Sequence, residues 1–145
     1  MARVVIADAG PLIAFATIDR PPILKGLFSE LIITESVRNE CAARPGADTR
    51  RIDAAIADGW LVVQTIESPA GPLSPGLGQG ESDSIRLAIA DRDNSLLILD
   101  DRLARRYALR RGLSVVGTVR LLHVAEQRGL IGDAARCVRE MAEIG

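Results

Sequence analysis

The sequence predicts an α/β fold, a parallel sheet with helices on both faces, and three observations carry that expectation. Five short aliphatic, β-branched runs alternate along the chain with amphipathic segments. Such alternation within one domain is the pattern of parallel strands joined by helical crossovers. Several of the runs lack polar alternation, as strands buried on both faces do. The length of 145 residues suits one domain over residues 1–145, which at this size buries ~70% of the surface of its unfolded chain.

Val4 to Ala7 reads as the first strand, ended by Asp8. Gly10 then permits a tight turn and Pro11 suits a first helical turn, so Pro11 to Thr17 reads as a helix. Pro21 to Phe28 is a second helix and Leu31 to Thr34 the second strand. Helices over Glu35 to Ala43 and Asp48 to Asp58 lead to a strand at Leu61 to Gln64. Glu67 to Gly80 holds three prolines and four glycines in fourteen residues, a loop of the length used for functional lids or for disordered connectors. Ser82 to Asp91 is helical, with Ile85, Ala88 and Ile89 as its buried stripe. Leu96 to Leu99 and Ser114 to Val116 are the last strands; Arg102 to Arg111, Val119 to Arg128 and Asp133 to Ile144 are helices. No internal repeat is visible.

Composition removes several function classes. The chain has 18 basic and 19 acidic side chains, so it is no simple polycation. Trp60, Tyr107, Phe15 and Phe28 are its only aromatics, too few for a base-stacking platform. Lys25 is the only lysine and lies in Leu24-Lys25-Gly26, which excludes a Walker phosphate loop and gives no support to a Schiff-base lysine. Gly76, Gly78 and Gly80 lack the spacing and the preceding strand of a dinucleotide fingerprint. His123 is the only histidine and no Gly-x-Ser-x-Gly elbow accompanies it, so it reads as structural. Cys41 and Cys137 read as reduced core thiols and Trp60 as core. The apolar run at the start is too short for a secretory signal, and no stretch has the ~18 apolar residues of a membrane span. A soluble, cytoplasmic protein without a membrane partner is expected.

In open parallel sheets, ligands bind outside the carboxyl ends of the strands. Asp8 ends the first strand, and Asp100 and Asp101 end the fourth. Glu81 and Asp83 open the helix before that fourth strand, and Glu40 lies about two turns into the helix after the second. Asp100 or Asp101 also suits a helix cap, and Glu81 or Asp83 a first helical turn, where the dipole favours anions. Glu40 also suits a solvated helix face. Asp8, directly after an apolar strand, has little structural reason to be charged. Gathered carboxylates raise one another's pKa, a cost that a divalent cation removes. Oxygen ligands without Cys or His select Mg²⁺ or Mn²⁺ over zinc, and such a site supports metal-assisted hydrolysis of a phosphodiester. Residues two apart on a helix point to nearly opposite sides, so Glu81 and Asp83 are alternatives, as are Asp100 and Asp101 at a strand end.

Four ordered blocks then resemble a known family. They are Val5-Ile6-Ala7-Asp8-Ala9-Gly10-Pro11-Leu12-Ile13-Ala14, Glu35-Ser36-Val37-Arg38-Asn39-Glu40, Gly80-Glu81-Ser82-Asp83-Ser84-Ile85-Arg86-Leu87-Ala88 and Leu97-Ile98-Leu99-Asp100-Asp101-Arg102. Together they resemble the PIN-domain ribonucleases, and more narrowly a subgroup close to the VapC-type toxins. The resemblance covers Val4 to about Ile131. It implies a three-layer α/β/α sandwich with a central, mainly parallel sheet, and a Mg²⁺- or Mn²⁺-dependent endoribonuclease acting on single-stranded RNA. It also implies the toxin role in a type II toxin–antitoxin system, with a small cognate antitoxin protein that covers the cleft or offers its acids a basic side chain. By position, Asp8 matches the family's first acid, Glu40 the second, Asp83 the third with Glu81 able to share the role, and Asp101 the fourth with Asp100 beside it. Ala9 and Leu99 stand where many members carry a hydroxyl.

Arg102, Arg105, Arg106 and Arg110 form one stripe on their helix, opposite Leu103, Ala104, Tyr107 and Ala108. The stripe suits RNA phosphates beside the acidic cleft, or a solvated face in an arginine-biased chain. The apolar Pro11 to Phe28 region suits core or, as the resemblance implies, a homodimer or partner surface. Two rivals remain. A phosphatase with Asp8 as nucleophile would want an aspartate two residues on, where Gly10 stands, and a supporting lysine. A non-catalytic or weakly active PIN-fold module that binds RNA or protein is kept open by Ala9 and Leu99. The near-neutral charge is a cancellation: residues 1–101 carry 9 basic and 15 acidic side chains, residues 102–145 carry 9 and 4.

Overall fold

The computed structural model describes residues 3–18, 20–43, 46–66 and 70–144. In chain order the elements are β1 (Val4–Ala7), α1 (Ala9–Thr17), α2 (Pro21–Phe28), β2 (Leu31–Thr34), α3 (Glu35–Ala42), α4 (Ala47–Ala57), β3 (Leu61–Gln64) and α5 (Gln79–Ala90). A short 3₁₀ turn (Arg92–Asn94) then leads to β4 (Ser95–Ile98), α6 (Arg102–Arg110), β5 (Ser114–Val116), α7 (Thr118–Gln127) and α8 (Ala134–Ile144). Each expected strand and helix is present, with ends shifted by a few residues. The largest shift is at α5, which begins at Gln79 because the Glu81 side chain accepts the Gly78 N–H at 2.9 Å and closes the first turn early. The Pro/Gly-rich segment therefore gives its last two residues to a helix, and its first three, 67–69, lie outside the described residues.

The five strands among the described residues are all parallel, in the order β3-β2-β1-β4-β5. The chain builds outward from β1 through β2 to β3, then returns across the sheet to place β4 on the other side of β1. That reversal puts the topological switch point at the carboxyl ends of β1 and β4, where a crevice opens between diverging connections.

Strand parity sorts the core into two layers, because successive side chains point to opposite faces. Val5, Ala7, Leu31, Ile33, Leu61 and Ile98 pack with residues of α1, α2, α3, α4, α7 and α8. Ile6, Leu97 and Leu99 pack instead with Ile85 and Ala88 of α5 and Ala104 and Ala108 of α6. The result is the three-layer α/β/α sandwich expected, with an all-parallel sheet. Phe15 is fully buried at the centre of the larger layer; removing such a ring costs about 3–5 kcal/mol. Most of the apolar Pro11 to Phe28 stretch enters this layer: Leu12, Phe15, Ile18, Ile23 and Leu24 are buried, and Ile13, Leu27 and Phe28 pack against them. Trp60 is core, Cys41 and Cys137 are buried free thiols, and His123 is exposed on α7. Among the described residues no helix is long and apolar enough to cross a membrane.

Candidate active site

Asp8 continues the ladder one residue beyond β1: its N–H donates to Ile98 O at 3.0 Å, and its carbonyl accepts from Leu12 N at 3.4 Å to start α1. The sheet and the helix together hold the side chain in a buried position, with 6% of its surface exposed. Among the described residues its Oδ1 is the buried side-chain polar atom without a hydrogen-bond partner. Burial pushes the Asp8 carboxyl up to about 7, against the lowering effect of the Ala9 N–H, and the charges of Glu81, Glu40 and Asp101 push in the same direction as burial.

Those three acids come from three other elements. Glu40 is exposed on α3, Glu81 half-buried in the first turn of α5, and Asp101 exposed at the start of α6. With Asp8, Asp100, Gly10, Pro11 and Gly78 they line one cleft of about 300 Å³. Burial also raises the Glu81 pKa, opposed by its bond to the Gly78 N–H and reinforced by Asp101 and Glu40. Gly80 lets α5 approach this closely. A Cβ there would lie 3.1 Å from Glu40 Oε1, 3.3 Å from Val37 Cγ2 and 3.6 Å from Asp8 Oδ1.

Of the two paired alternatives, one divides cleanly. Glu81 lines the cleft and Asp83 does not. With α5 already helical at Gln79, residues 81 and 83 diverge. The Asp83 carboxylate turns instead toward α3 and its own helix, accepting from Ser36 Oγ at 2.7 Å, Gln79 Nε2 at 2.9 Å and Arg86 Nη1 at 3.0 Å. Asp100 and Asp101 both line the cleft but are differently engaged. Asp101 caps α6, its Oδ2 accepting Ala104 N at 2.9 Å. Asp100 accepts Thr118 N at 2.8 Å and the Thr118 hydroxyl, tying β4 to the start of α7. Ala9 and Leu99 are fully buried in the two core layers, so neither position offers a polar group to the cleft.

Gly80 and Thr118 belong to the site without being singled out by sequence pattern. The available signal for Thr118 is its place two residues after β5, at the first position of α7. For Gly80 it is a glycine one residue ahead of a helix-opening acid.

The four arginines of α6 line an adjoining groove of about 600 Å³ with Leu109 and Asp100. Asp100 therefore borders both the groove and the acidic cleft. Arg102, Arg106 and Arg110 are exposed. Arg105 is half-buried and donates to Leu99 O at 3.0 Å, packed so tightly on Gly117 that a Cβ there would lie 2.6 Å from its Nη1.

A divalent cation fits this donor set. An orphaned, buried carboxylate oxygen faces a cleft in which every titratable neighbour is an acid, and a cation is the partner that satisfies both conditions. Among the described residues no three Asp, Glu, His or Cys side chains are grouped closely enough to enclose an ion by themselves.

A parallel α/β/α sandwich with acids at its switch point defines a class, and comparison places the chain within it. A family model described as DUF3368, PIN domain, matches residues 4–145, and the chain belongs to that family. PIN domains are generally nucleases and typically use divalent metals. A PilT N-terminus domain protein, SSO1118, from the hyperthermophilic archaeon Sulfolobus solfataricus P2 is similar in structure. Its TM-score is 0.55 at 20% identity, over 84% of this chain and 92% of that one. No curated protein matches the sequence.

Proposed function

We propose that this protein is a Mg²⁺- or Mn²⁺-dependent endoribonuclease acting on single-stranded RNA, the toxin of a toxin–antitoxin pair of the VapC type. The observation that carries the reading is the orphaned Asp8 Oδ1 beside Glu40, Glu81 and Asp101 at the switch point. These four acids would hold the ion, with Asp100 fixed beside them by Thr118. A bound divalent ion supplies a more acidic water and stabilises charge on a phosphodiester oxygen.

The chain's own residues do the rest. Asp8 is locked in place by the sheet and the α1 N-terminus, which fixes the reacting phosphate against β1. Glu81 has one oxygen on the Gly78 N–H, leaving the other to orient water. Glu40, exposed like Asp101 but not engaged in capping a helix, would take the proton as the water oxygen bonds to phosphorus and the P–O bond to the leaving nucleotide breaks, the leaving oxygen taking a proton from solvent. Arg102, Arg106 and Arg110 hold flanking phosphates in the adjoining groove. Phosphate contacts position the strand without reading its bases, and among the described residues no aromatic side chain lines the groove for stacking. A small antitoxin covering the cleft, or placing a cation among its acids, would inhibit.

Incubation with single-stranded RNA and Mn²⁺ or Mg²⁺ tests the proposal, beside EDTA, Asp8→Asn and Glu81→Gln. Cleavage should fall at least ~100-fold in each control, the scale of losing a principal charge-stabilising group. Cleavage that survives EDTA and Asp8→Asn sinks the reading. A second reading, a binding module without catalysis, is favoured by the buried Ala9 and Leu99; RNA bound but never cut would establish it.

A further inference from the structure

Asp83 is held by three donors of the protein itself. Besides its three donors, the hydroxyl of Ser36 that bonds it is shared with Thr34 Oγ1 at 3.0 Å, at the end of β2. The other two donors reach onward into the Pro/Gly-rich segment. Gln79 Nε2 also donates to Ala70 O at 3.0 Å. The Arg86 guanidinium donates to Ala70 O at 3.3 Å and to Gly71 O. Next door, Ser82 Oγ accepts Leu73 N at 3.0 Å. One carboxylate thus joins the β2–α3 corner, the first turns of α5 and residues 70–73.

The far end of the same segment reaches the cleft. Leu77 is buried in the smaller core layer, and a Cβ on Gly76 would lie 2.8 Å from Leu103 of α6. Gly78 lines the cleft and its N–H holds Glu81. Residues 70–78 are therefore a rim strung between α5 and α6, pinned at one end by the Asp83 network and bonded at the other to a cleft acid.

We propose that Asp83 is a positioning residue that fixes this rim and through it the orientation of Glu81, and is not itself a ligand of the ion; the second half rests on the metal-site reading of the cleft. Its charge is already met by a guanidinium and two neutral donors, and charge-assisted bonds of this kind are the stronger ones. Recruiting it to a cation would break the tether of residues 70–73. Glu81, with a single bond of this kind, carries no such cost.

Asp83→Asn, Asp83→Ala, Arg86→Ala and Glu81→Gln separate the roles by two measurements. An asparagine can accept from Gln79 and Arg86 while its amide donates to Ser36 Oγ, so it keeps the network without the negative charge. Hydrogen exchange across 70–78 should quicken ~10-fold or more in Asp83→Ala and Arg86→Ala and stay within ~3-fold in Asp83→Asn, because local opening follows the bonds that close the segment. Mn²⁺ affinity, read by electron paramagnetic resonance, should drop ~10-fold in Asp83→Ala and Arg86→Ala, as expected for groups that orient ligands. Asp83→Asn should keep it within ~3-fold, whereas Glu81→Gln should not. Loss of Mn²⁺ in Asp83→Asn equal to that in Glu81→Gln, with Arg86→Ala unaffected, would make Asp83 a ligand and overturn the proposal. Unchanged exchange in Asp83→Ala overturns it as well. If the wild-type protein binds no Mn²⁺, the cleft reading fails, and the exchange arm still decides whether Asp83 holds the rim.

Discussion

Asp8 and Ala9 follow β1 and are both buried, and Asp8 is neutral there only while it holds a proton. An unfolded Asp8 ionises near 3.8 and the folded one near 7. Between those values the native state keeps a proton that the unfolded chain has released. The stability this confers relative to the ionised native state is fully present below 3.8 and is lost as pH rises through 7. Three units correspond to at most about 4 kcal/mol. Metal-free Asp8→Asn should therefore melt above the wild type at pH 8, and the gap should close as pH falls toward 4. Thermal melts across that range check it, and a pH-independent gap would contradict the buried-acid account. The sequence places Asp8 at the strand end from pattern alone, since the apolar run Val4 to Ala7 stops at an acid and a proline suited to a first helical turn follows three residues on. Glu81 against Asp83 is a different kind of question. Both sit at helix-opening positions, and the choice turns on the rotation of α5 about its axis, which packing of Ile85 and Ala88 against Ile6 and Leu97 decides.

At the level of elements, α6 shows how a stripe read from spacing divides once its neighbours are present. Four arginines share one groove, yet Arg105 bonds the Leu99 carbonyl and covers Gly117, where β4, β5 and α7 meet. Arg111, one residue past the helix, stacks on Tyr107 at 4.9 Å. Arg105 is thus a brace for the strand end that carries Asp100 and Asp101, while Arg102, Arg106 and Arg110 remain available to phosphates. Arg105→Ala should lower stability by about 1.5–3 kcal/mol, the range for a charged hydrogen bond. Arg106→Ala and Arg110→Ala should leave stability within ~0.5 kcal/mol, as exposed substitutions do. Each of those two should weaken single-stranded RNA binding and reduce the salt slope of log K by ~0.7. Binding isotherms at several salt concentrations beside melting curves separate the two roles. Equal salt slopes for wild type and Arg106→Ala/Arg110→Ala would remove the groove from RNA recognition.

For the whole molecule, the balanced charge resolves into two adjoining regions, an acidic cleft at the switch point and a basic groove along α6 that meet at Asp100. A ligand that neutralises the first should stabilise the entire fold, because the acids come from β1, α3, α5 and the β4–α6 corner. Mn²⁺ at ~100 times its dissociation constant adds about 2.7 kcal/mol, or roughly 5–10 °C for a domain of this size. That rise should appear in the wild type at pH 8 and vanish in Asp8→Asn, as followed by calorimetry; an equal rise in both would move the ion elsewhere. The alternation of strands and helices, the parallel sheet and the strand-end placement of Asp8, Asp100 and Asp101 were all determined by sequence. They follow from local propensity, period and chain connectivity. Which carboxylates share a cleft, which are spent on capping or bracing, and how close α5 comes through Gly80 were decided only by the tertiary structure. Those outcomes depend on helix rotation and on contacts between residues as far apart as Ser36 and Asp83, which no local pattern specifies.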